Sequence, residues 1–292
     1  MSAEYVEEPL TGRLQGVALR PAGAAADEVG VLVLAGSSGR LDLARARLLA
    51  AHGALAVALR WFGGEGQPPG ICEVPLETFT EAIDWLVERG ARRVGLVGLS
   101  RGAEAALLVA CHDARVDTVI ALAPSSVCWG YVGPDADGRA HTYRSSWTWR
   151  GAPAPFVPYD ESWEPAGGDG LVSCRALYEA SLRAFPEAAR AAAIPVERAR
   201  ASLLLVAGDA DALWPSAFFA AELAARRKRH GRQVEVITHP DAGHRLVLPG
   251  EPAPAPSTTY AHGGSAAADA ALGALAWPRI RASLFGGERE AL

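Results

Sequence analysis

The sequence predicts an α/β fold, with a mostly parallel central sheet and helices on both of its faces. Half of the 292 residues are hydrophobic, which is enough to bury a sizeable core. The apolar runs are short, rich in β-branched residues and free of polar alternation, which is typical of strands buried on both faces. Helical patterns separate these runs, and this alternation favours parallel strands joined by helices.

The predicted elements follow one another regularly, apart from one interruption. Strands are predicted at residues 29–36, 54–61, 93–100, 116–124, 201–208 and 233–240. Helices are predicted at 41–53, 76–90 and 102–111, from Ser216 onward, and at 267–284. We expect the last helix to close an edge of the sheet, so that residues 1–292 form a single domain.

Between residues 125 and 193 the alternation stops, and we interpret this segment as a cap inserted into the domain. Such a long irregular stretch inside a compact domain is usually functional, and its aromatic content argues against disorder. It contains Trp129, Tyr131, Tyr143, Trp147, Trp149, Phe156, Tyr159 and Trp163. Because α/β sheets bind ligands at the carboxyl ends of their strands, the sequence predicts that Trp129, Trp147 and Trp149 bind an apolar substrate group. Alternatively, the rings form a small core of their own.

Charge and composition exclude several classes of partner. The formal net charge of −5 argues against nucleic acids and anionic membranes, and the basic run at 225–232 is interpreted as a solvated helix face. Residues 1–10 are acidic and contain no apolar leader, and no apolar run is long enough to span a membrane, which favours the cytoplasm. Residues 249–268 have the composition of a flexible surface loop.

The four cysteines are scattered along the chain at Cys72, Cys111, Cys128 and Cys174. They form no CxxC pair and have no histidine at ligand spacing, so they predict neither a metal site nor a disulfide framework. We expect reduced thiols and no cofactor.

The stretch from Gly98 to Gly102 fits the pattern G-x-S-x-G, with Ser100 at its centre. A buried strand precedes it and a helical pattern follows, which is the context that a nucleophilic serine requires. The flanking glycines would allow the close strand-to-helix turn that exposes such a hydroxyl. The alternative is a serine that caps the helix.

A serine hydroxyl needs a base and a group that orients the base, and later loops offer both. Asp211 follows a predicted strand and His244 follows the next one, so both loops share the sheet edge of Ser100. Asp209 and Asp241 are the competing acids; Asp211 is preferred because it has room to reach back toward the site.

The other histidines have ordinary interpretations. His239 lies within the last predicted strand, and His112, His230 and His262 lie at helix ends or in loops that we expect to be solvated. Two backbone N–H groups are predicted to bind the oxyanion: that of Arg101, which follows the nucleophile, and that of Ser37, in the loop after an earlier strand. Simple turn chemistry would also account for a serine at position 37.

Five stretches resemble one known family, the C-terminal catalytic domain shared by acyl-CoA thioesterases and bile acid-CoA:amino acid N-acyltransferases. They are LARARLLAAHGALAVALRWFGGEG, PLETFTEAIDWL, VGLVGLSRGAEAALLVA, IPVERARASLLLVAGDADALWPS and HPDAGHRL. The resemblance implies an α/β-hydrolase fold and gives the roles of nucleophile, acid and base to Ser100, Asp211 and His244. The N-acyltransferase members use cysteine as the nucleophile, so Ser100 favours hydrolysis over transfer.

Three functions therefore follow from the sequence. The first is a serine hydrolase or acyltransferase acting on an acyl thioester, bound to CoA or to another carrier, through an acyl-Ser100 intermediate. The second is a carboxylesterase or lactone hydrolase with the same three residues. The third is a catalytically inactive protein that binds a small ligand.

Overall fold

The protein is built around a central sheet of eight strands. The structure is a computed structural model, and it describes residues 5–22, 29–131, 143–165 and 170–286. The strands are β1 (Tyr5–Pro9), β2 (Gln15–Pro21), β3 (Val29–Leu34), β4 (Leu55–Arg60), β5 (Val74–Pro75), β6 (Arg93–Leu99), β7 (Val116–Leu122), β8 (Trp147–Trp149), β9 (Ala152–Pro153), β10 (Ser202–Gly208) and β11 (Glu235–His239). The helices are α1 (Leu43–Ala51), α2 (Glu77–Glu88), α3 (Arg101–His112), α4 (Arg175–Ala184), α5 (Pro186–Ala191), α6 (Ser216–Arg229) and α7 (Ala266–Phe285), with a short 3₁₀ turn at Val196–Arg198.

The large sheet has the strand order β1-β2-β4-β3-β6-β7-β10-β11. The six strands from β4 to β11 are mutually parallel, whereas β1 pairs antiparallel with β2 and β2 antiparallel with β4. All six parallel strands were predicted from the sequence. The β1–β2 hairpin was not, because the YVEEP sequence of β1 is almost wholly exposed and carries no apolar alternation.

Two apolar clusters lie on opposite faces of the sheet. Helices α2, α3 and α6 cover one face, and α1 and α7 cover the other. The prediction for α7 needs correction, because this helix crosses the face from β11 to β6 rather than closing an edge. Its Leu284 packs so closely on β6 that a Cβ atom at Gly95 would lie 2.4 Å from the Leu284 Cδ2 atom.

The inserted segment is built into the larger of the two cores. Its chain leaves and returns as an antiparallel pair, in which the Cys128 N–H donates to the Ala192 carbonyl at 2.9 Å. Strands β8 and β9 join β5 in a second sheet of three strands. Of the eight predicted cap aromatics all are described, but residues 132–142 and 166–169 of the segment lie outside the described residues. Within the described ranges, no helix is both long and apolar enough to cross a membrane.

Candidate active site

Ser100 occupies the turn between β6 and α3, in a backbone conformation that residues with a side chain rarely adopt. Its φ and ψ angles are 57° and −120°, a region that costs free energy for any residue except glycine. The Ser100 N–H donates to the Leu122 carbonyl at 2.9 Å, and the Ser100 carbonyl accepts the N–H groups of Ala103 and Glu104. These bonds hold Ser100 at the carboxyl edge of the sheet and at the amino end of α3.

The two glycines of the motif are required by close backbone packing. A Cβ atom at Gly98 would lie 2.3 Å from the Gly102 carbonyl oxygen, and one at Gly102 would lie 2.4 Å from the Leu34 carbonyl oxygen. Both distances are far inside van der Waals contact, so the close approach predicted from the sequence is present. Ser100 stands at the N-cap position of α3, but its side chain makes no capping hydrogen bond, so the hydroxyl does not serve as a helix cap.

Asp211 and His244 form a buried pair at the same edge. The His244 Nδ1 atom lies 2.8 Å from the Asp211 Oδ2 atom, and the two residues are 3% and 0% exposed. The other Asp211 carboxylate oxygen accepts the backbone N–H groups of Leu213 and Trp214. With one oxygen held by the backbone, the carboxylate can present the other to the imidazole in a fixed orientation.

The competing acids and bases lie elsewhere. Asp209 and Asp241 are exposed, and His239 accepts the backbone N–H of Asp241 at 3.2 Å. His112 ends α3 and stacks on Trp149. His230 caps the end of α6.

His262 lies at the site, although its sequence context predicted a solvated loop. Its carbonyl accepts the N–H groups of His244 and Ala212, and its ring centroid lies 5.9 Å from that of His244. Burial, together with the charges of Arg245 and His244, lowers the pKa of His262 to about 4. The loop predicted to be flexible is thus tied by its backbone to the loops of the base and the acid.

Asp269, on α7, fixes the loop that carries His244. Its carboxylate accepts the Gly243 N–H at 2.7 Å, directly before His244, and burial raises the pKa of Asp269. No motif marks Asp269 in the sequence, because its role depends on α7 crossing the sheet face.

Trp214 lies between the base and the nucleophile turn: its ring centroid is 5.7 Å from that of His244, and its indole N–H donates to the Ala123 carbonyl at 3.2 Å. Ala123 directly follows Leu122, and the Leu122 carbonyl accepts the Ser100 N–H. Trp214 therefore contacts both the strand end that binds the Ser100 backbone and the His244 imidazole.

The hydrogen bonds among the described residues join His244 to Asp211 and not to Ser100. Catalytic hydrogen bonds are often long before substrate binds and tighten in the complex. The structure therefore brings the acid and base into contact and places the serine turn at the same edge of the sheet.

The two residues predicted to bind an oxyanion flank Ser100. Arg101 is the first residue of α3, and its side chain turns into the core, where it pairs with Glu104 at 2.6 Å. The loop after β3 touches the serine, because a Cβ atom at Gly36 would lie 3.3 Å from the Ser100 Cβ atom. Ser37 follows in that loop and is exposed.

The three tryptophans predicted to bind substrate have other surroundings, and this corrects the prediction. Trp129 and Trp147 are both fully buried, and their indole N–H groups donate to the Ser125 hydroxyl and the Glu104 carboxylate. Trp149 stacks on the last residue of α3, about 18 Å along that helix from Ser100. Buried rings and a ring at the far end of α3 offer no surface to an acyl group at Ser100.

The inserted segment reaches the site at residues 172–175 instead. The Arg175 guanidinium donates to the carbonyls of Asp209 and Asp211 at 2.9 and 3.1 Å, and the Ser173 hydroxyl donates to the Ala212 carbonyl at 2.7 Å. The Val172 N–H donates to the carbonyl of Thr259, in the loop that leads to His262. The segment therefore braces the acid loop by its polar groups.

Comparison with known proteins decides the family. Residues 74–285 match the family described as BAAT / Acyl-CoA thioester hydrolase C terminal. The chain belongs to this family. The matched range includes Ser100, Asp211 and His244, and the resemblance found in the sequence is confirmed.

Curated relatives of the BAAT / acyl-CoA thioester hydrolase family carry two kinds of name. Human acyl-coenzyme A thioesterase 1 is 27% identical over 224 residues, which cover 75% of this chain and 49% of that protein. Mouse acyl-coenzyme A thioesterase 6 is 28% identical over 262 residues, covering 86% and 58%. Mouse acyl-coenzyme A amino acid N-acyltransferase 1 is 26% identical over 253 residues, covering 85% and 55%. The chain spans about half the length of these relatives.

A solved structure confirms the α/β-hydrolase fold of this family member. A dienelactone hydrolase described as putative, from Klebsiella pneumoniae, superimposes with a TM-score of 0.56 over 96% of this chain and 97% of its own. The two sequences are 14% identical, so the likeness concerns the fold alone. In the described part of the chain, no three His, Cys, Asp or Glu side chains gather as metal ligands.

Proposed function

We propose that this protein is a serine hydrolase that cleaves an acyl thioester through an acyl-Ser100 intermediate. The observation that carries the proposal is the buried Asp211–His244 pair at the same sheet edge as a serine held at positive φ between a strand and a helix. The names of the curated relatives, thioesterases and N-acyltransferases of acyl-coenzyme A, support a thioester substrate. An activated nucleophile with an oriented base is what acyl transfer requires.

In the first half of the proposed reaction, His244 removes the Ser100 proton as the hydroxyl oxygen attacks the thioester carbonyl carbon. The carbonyl oxygen becomes an oxyanion, which accepts hydrogen bonds from the backbone N–H groups of Arg101 and Ser37. Collapse of this intermediate breaks the carbon–sulfur bond, and the thiolate leaves with the proton from His244. Asp211 keeps the imidazole in the tautomer that can accept the serine proton.

In the second half, His244 takes a proton from water, and the hydroxide attacks the acyl-Ser100 ester. The carbon–oxygen bond to Ser100 breaks, the serine recovers its proton from His244, and the free acid leaves. An amine that replaced water would yield an amide by the same steps. Water is the preferred acceptor, because the family resemblance implies a cysteine nucleophile for the transferase members and this chain has Ser100 instead.

Labelling by a fluorophosphonate tests the nucleophile. The probe should modify Ser100 in the wild-type protein and fail to modify the Ser100→Ala variant. Ser202→Ala, which removes an exposed hydroxyl at the start of β10, should be labelled normally. Persistent labelling of Ser100→Ala would overturn the mechanism.

Parallel assays test the substrate class. An acyl-CoA and the p-nitrophenyl ester of the same acyl group share the acyl-enzyme, so they differ only in the leaving group and its binding. We expect a higher kcat/KM for the acyl-CoA. Turnover of the oxygen ester alone would replace the thioesterase by the carboxylesterase or lactone hydrolase alternative.

A further inference from the structure

Two arginines lie in the loops that carry Gly36 and His244 at the proposed site. Arg40 is exposed and lies in the loop after β3, four residues beyond the Gly36 backbone that touches Ser100. Arg245 directly follows His244 and is partly buried. Both loops leave the carboxyl edge of the sheet, where Ser100 and His244 also lie.

The backbone that carries both arginines is held in place. The Gly39 carbonyl accepts a hydrogen bond from Arg60 at 2.8 Å, and Gly39 has a φ of +67°, which turns the chain just before Arg40. One Nη atom of Arg245 donates to the Ala255 carbonyl at 2.7 Å. The two groups lie close enough that burial and the charge of Arg40 together lower the pKa of Arg245.

Two carboxylates that follow these arginines in the sequence, Asp42 and Glu251, are paired with another arginine. Arg45, which is buried in α1, pairs with Asp42 at 2.6 Å and with Glu251 at 2.8 Å. Among the residues that the structure describes, no carboxylate lies within 4.0 Å of the guanidinium of Arg40 or Arg245. At the same edge, Arg101 is paired with Glu104 and Arg175 with Glu179, so their charges are compensated.

We propose that Arg40 and Arg245 form an anion-binding subsite that holds phosphate groups on the leaving-group side of the acyl donor. Guanidinium groups are suited to phosphate, since each presents several N–H donors in a plane. The protein as a whole is acidic, so a phosphorylated carrier would be repelled without a local positive charge. This inference rests on the proposed function, which makes an acyl thioester the donor. It adds that Arg40 and Arg245 recognise the phosphates of that donor.

The experiment compares two donors with the same acyl group: octanoyl-CoA, and the octanoyl thioester of N-acetylcysteamine, which has no phosphate. In the double variant Arg40→Ala/Arg245→Ala, KM for octanoyl-CoA should rise at least about fivefold, as expected for the loss of two exposed charge contacts. The kcat/KM for the phosphate-free thioester should change less than about twofold. The control variant Arg229→Ala/Arg232→Ala removes two exposed arginines near the opposite edge and should leave both donors unaffected.

Binding of free CoA by calorimetry separates this inference from the proposed function. Wild-type protein should bind CoA, and the double variant should bind it at least about fivefold more weakly, even if neither thioester is hydrolysed. Equal losses on both donors, or the absence of CoA binding by the wild-type protein, would overturn the subsite. Failure to hydrolyse either thioester, with normal CoA binding, would overturn the proposed reaction and leave the subsite standing.

Discussion

Asp211 and Asp209 are two residues apart, yet only Asp211 touches the base. Asp211 is fully buried with its carboxylate on His244, while the Asp209 side chain is exposed. We expect Asp211→Asn to lower kcat by roughly three to four orders of magnitude, because the amide stabilises the wrong imidazole tautomer. Asp209→Asn should change kcat less than about threefold in the same assay. The reverse order of damage would show that the acid has been misassigned.

His262 makes stability depend on pH. Burial lowers its folded pKa to about 4 from an ordinary value of 6.5, so the unfolded chain binds more protons between these values. Its contribution to stability is therefore fully present above pH 6.5 and is lost as the pH falls toward 4. The His262→Gln variant should lose less of its melting temperature between pH 7.5 and pH 5 than the wild type does, by calorimetry in matched buffers. Equal losses in the two proteins would contradict this account.

The sequence marks residues whose chemistry has a motif and misses those whose role comes from packing. Ser100, Asp211 and His244 could be proposed from their types and from the strand ends that precede them. Asp269 could not, since it reaches Gly243 only because α7 crosses the sheet. Aromatic content also misled, because a tryptophan-rich segment supplies core as readily as it supplies a pocket.

Helix α3 is joined to the inserted segment through one buried carboxylate. Glu104 pairs with Arg101 and accepts hydrogen bonds from the Trp129 backbone and the Trp147 indole. Burial raises the pKa of Glu104, and the Arg101 charge opposes that shift. The two opposite charges of this buried pair therefore compensate each other.

Removal of this carboxylate should destabilise the protein strongly. Glu104→Gln leaves the buried Arg101 charge unpaired, which costs about 3–5 kcal/mol of unfolding free energy. Glu187→Gln, in an exposed pair with Arg190 on α5, should cost less than about 1 kcal/mol. Chemical denaturation of both variants measures the difference in unfolding free energy. Similar losses in the two variants would show that the buried Glu104–Arg101 pair matters no more for stability than an exposed pair.

The contact between α3 and β3 requires Gly102. Its alanine variant would place a Cβ atom 2.4 Å from a backbone carbonyl, which cannot move as a flexible side chain does. We expect a loss of about 1–3 kcal/mol in unfolding free energy and slower fluorophosphonate labelling of Ser100. Gly170→Ala is the matched control, because nothing lies within 4 Å of its added Cβ atom. Normal labelling of Gly102→Ala would show that the turn tolerates the displacement.

At the scale of the whole molecule, the inserted segment and the sheet share one core. Trp129 and Trp147 belong to the cluster that also contains Phe79 of α2 and Phe219 of α6. We therefore expect tryptophan fluorescence and far-ultraviolet circular dichroism to report a single coincident unfolding transition. An early fluorescence transition, with the secondary structure still intact, would show that the segment unfolds as a separate unit.

The six parallel strands of the sheet were predictable, since buried strands carry a strong local signal. The sheet order and the path of α7 depend on contacts distant in sequence, which no local pattern records. The β1–β2 hairpin is local, but its exposed first strand has no apolar alternation to reveal it. The pairing of Cys128 with Ala192, where the inserted segment leaves and returns, also could not be predicted, because nearly the whole insertion separates the two residues in sequence.

The bracing of the acid loop by residues 172–175 bears on how this protein could be re-engineered. Mutant libraries meant to change acyl selectivity commonly randomise the segment that covers the site. Here Ser173 and Arg175 donate hydrogen bonds to the carbonyls around Asp211, so randomising them would disturb the position of the acid. A library that fixes 172–175 and varies exposed positions elsewhere in the insertion should retain a larger fraction of active clones.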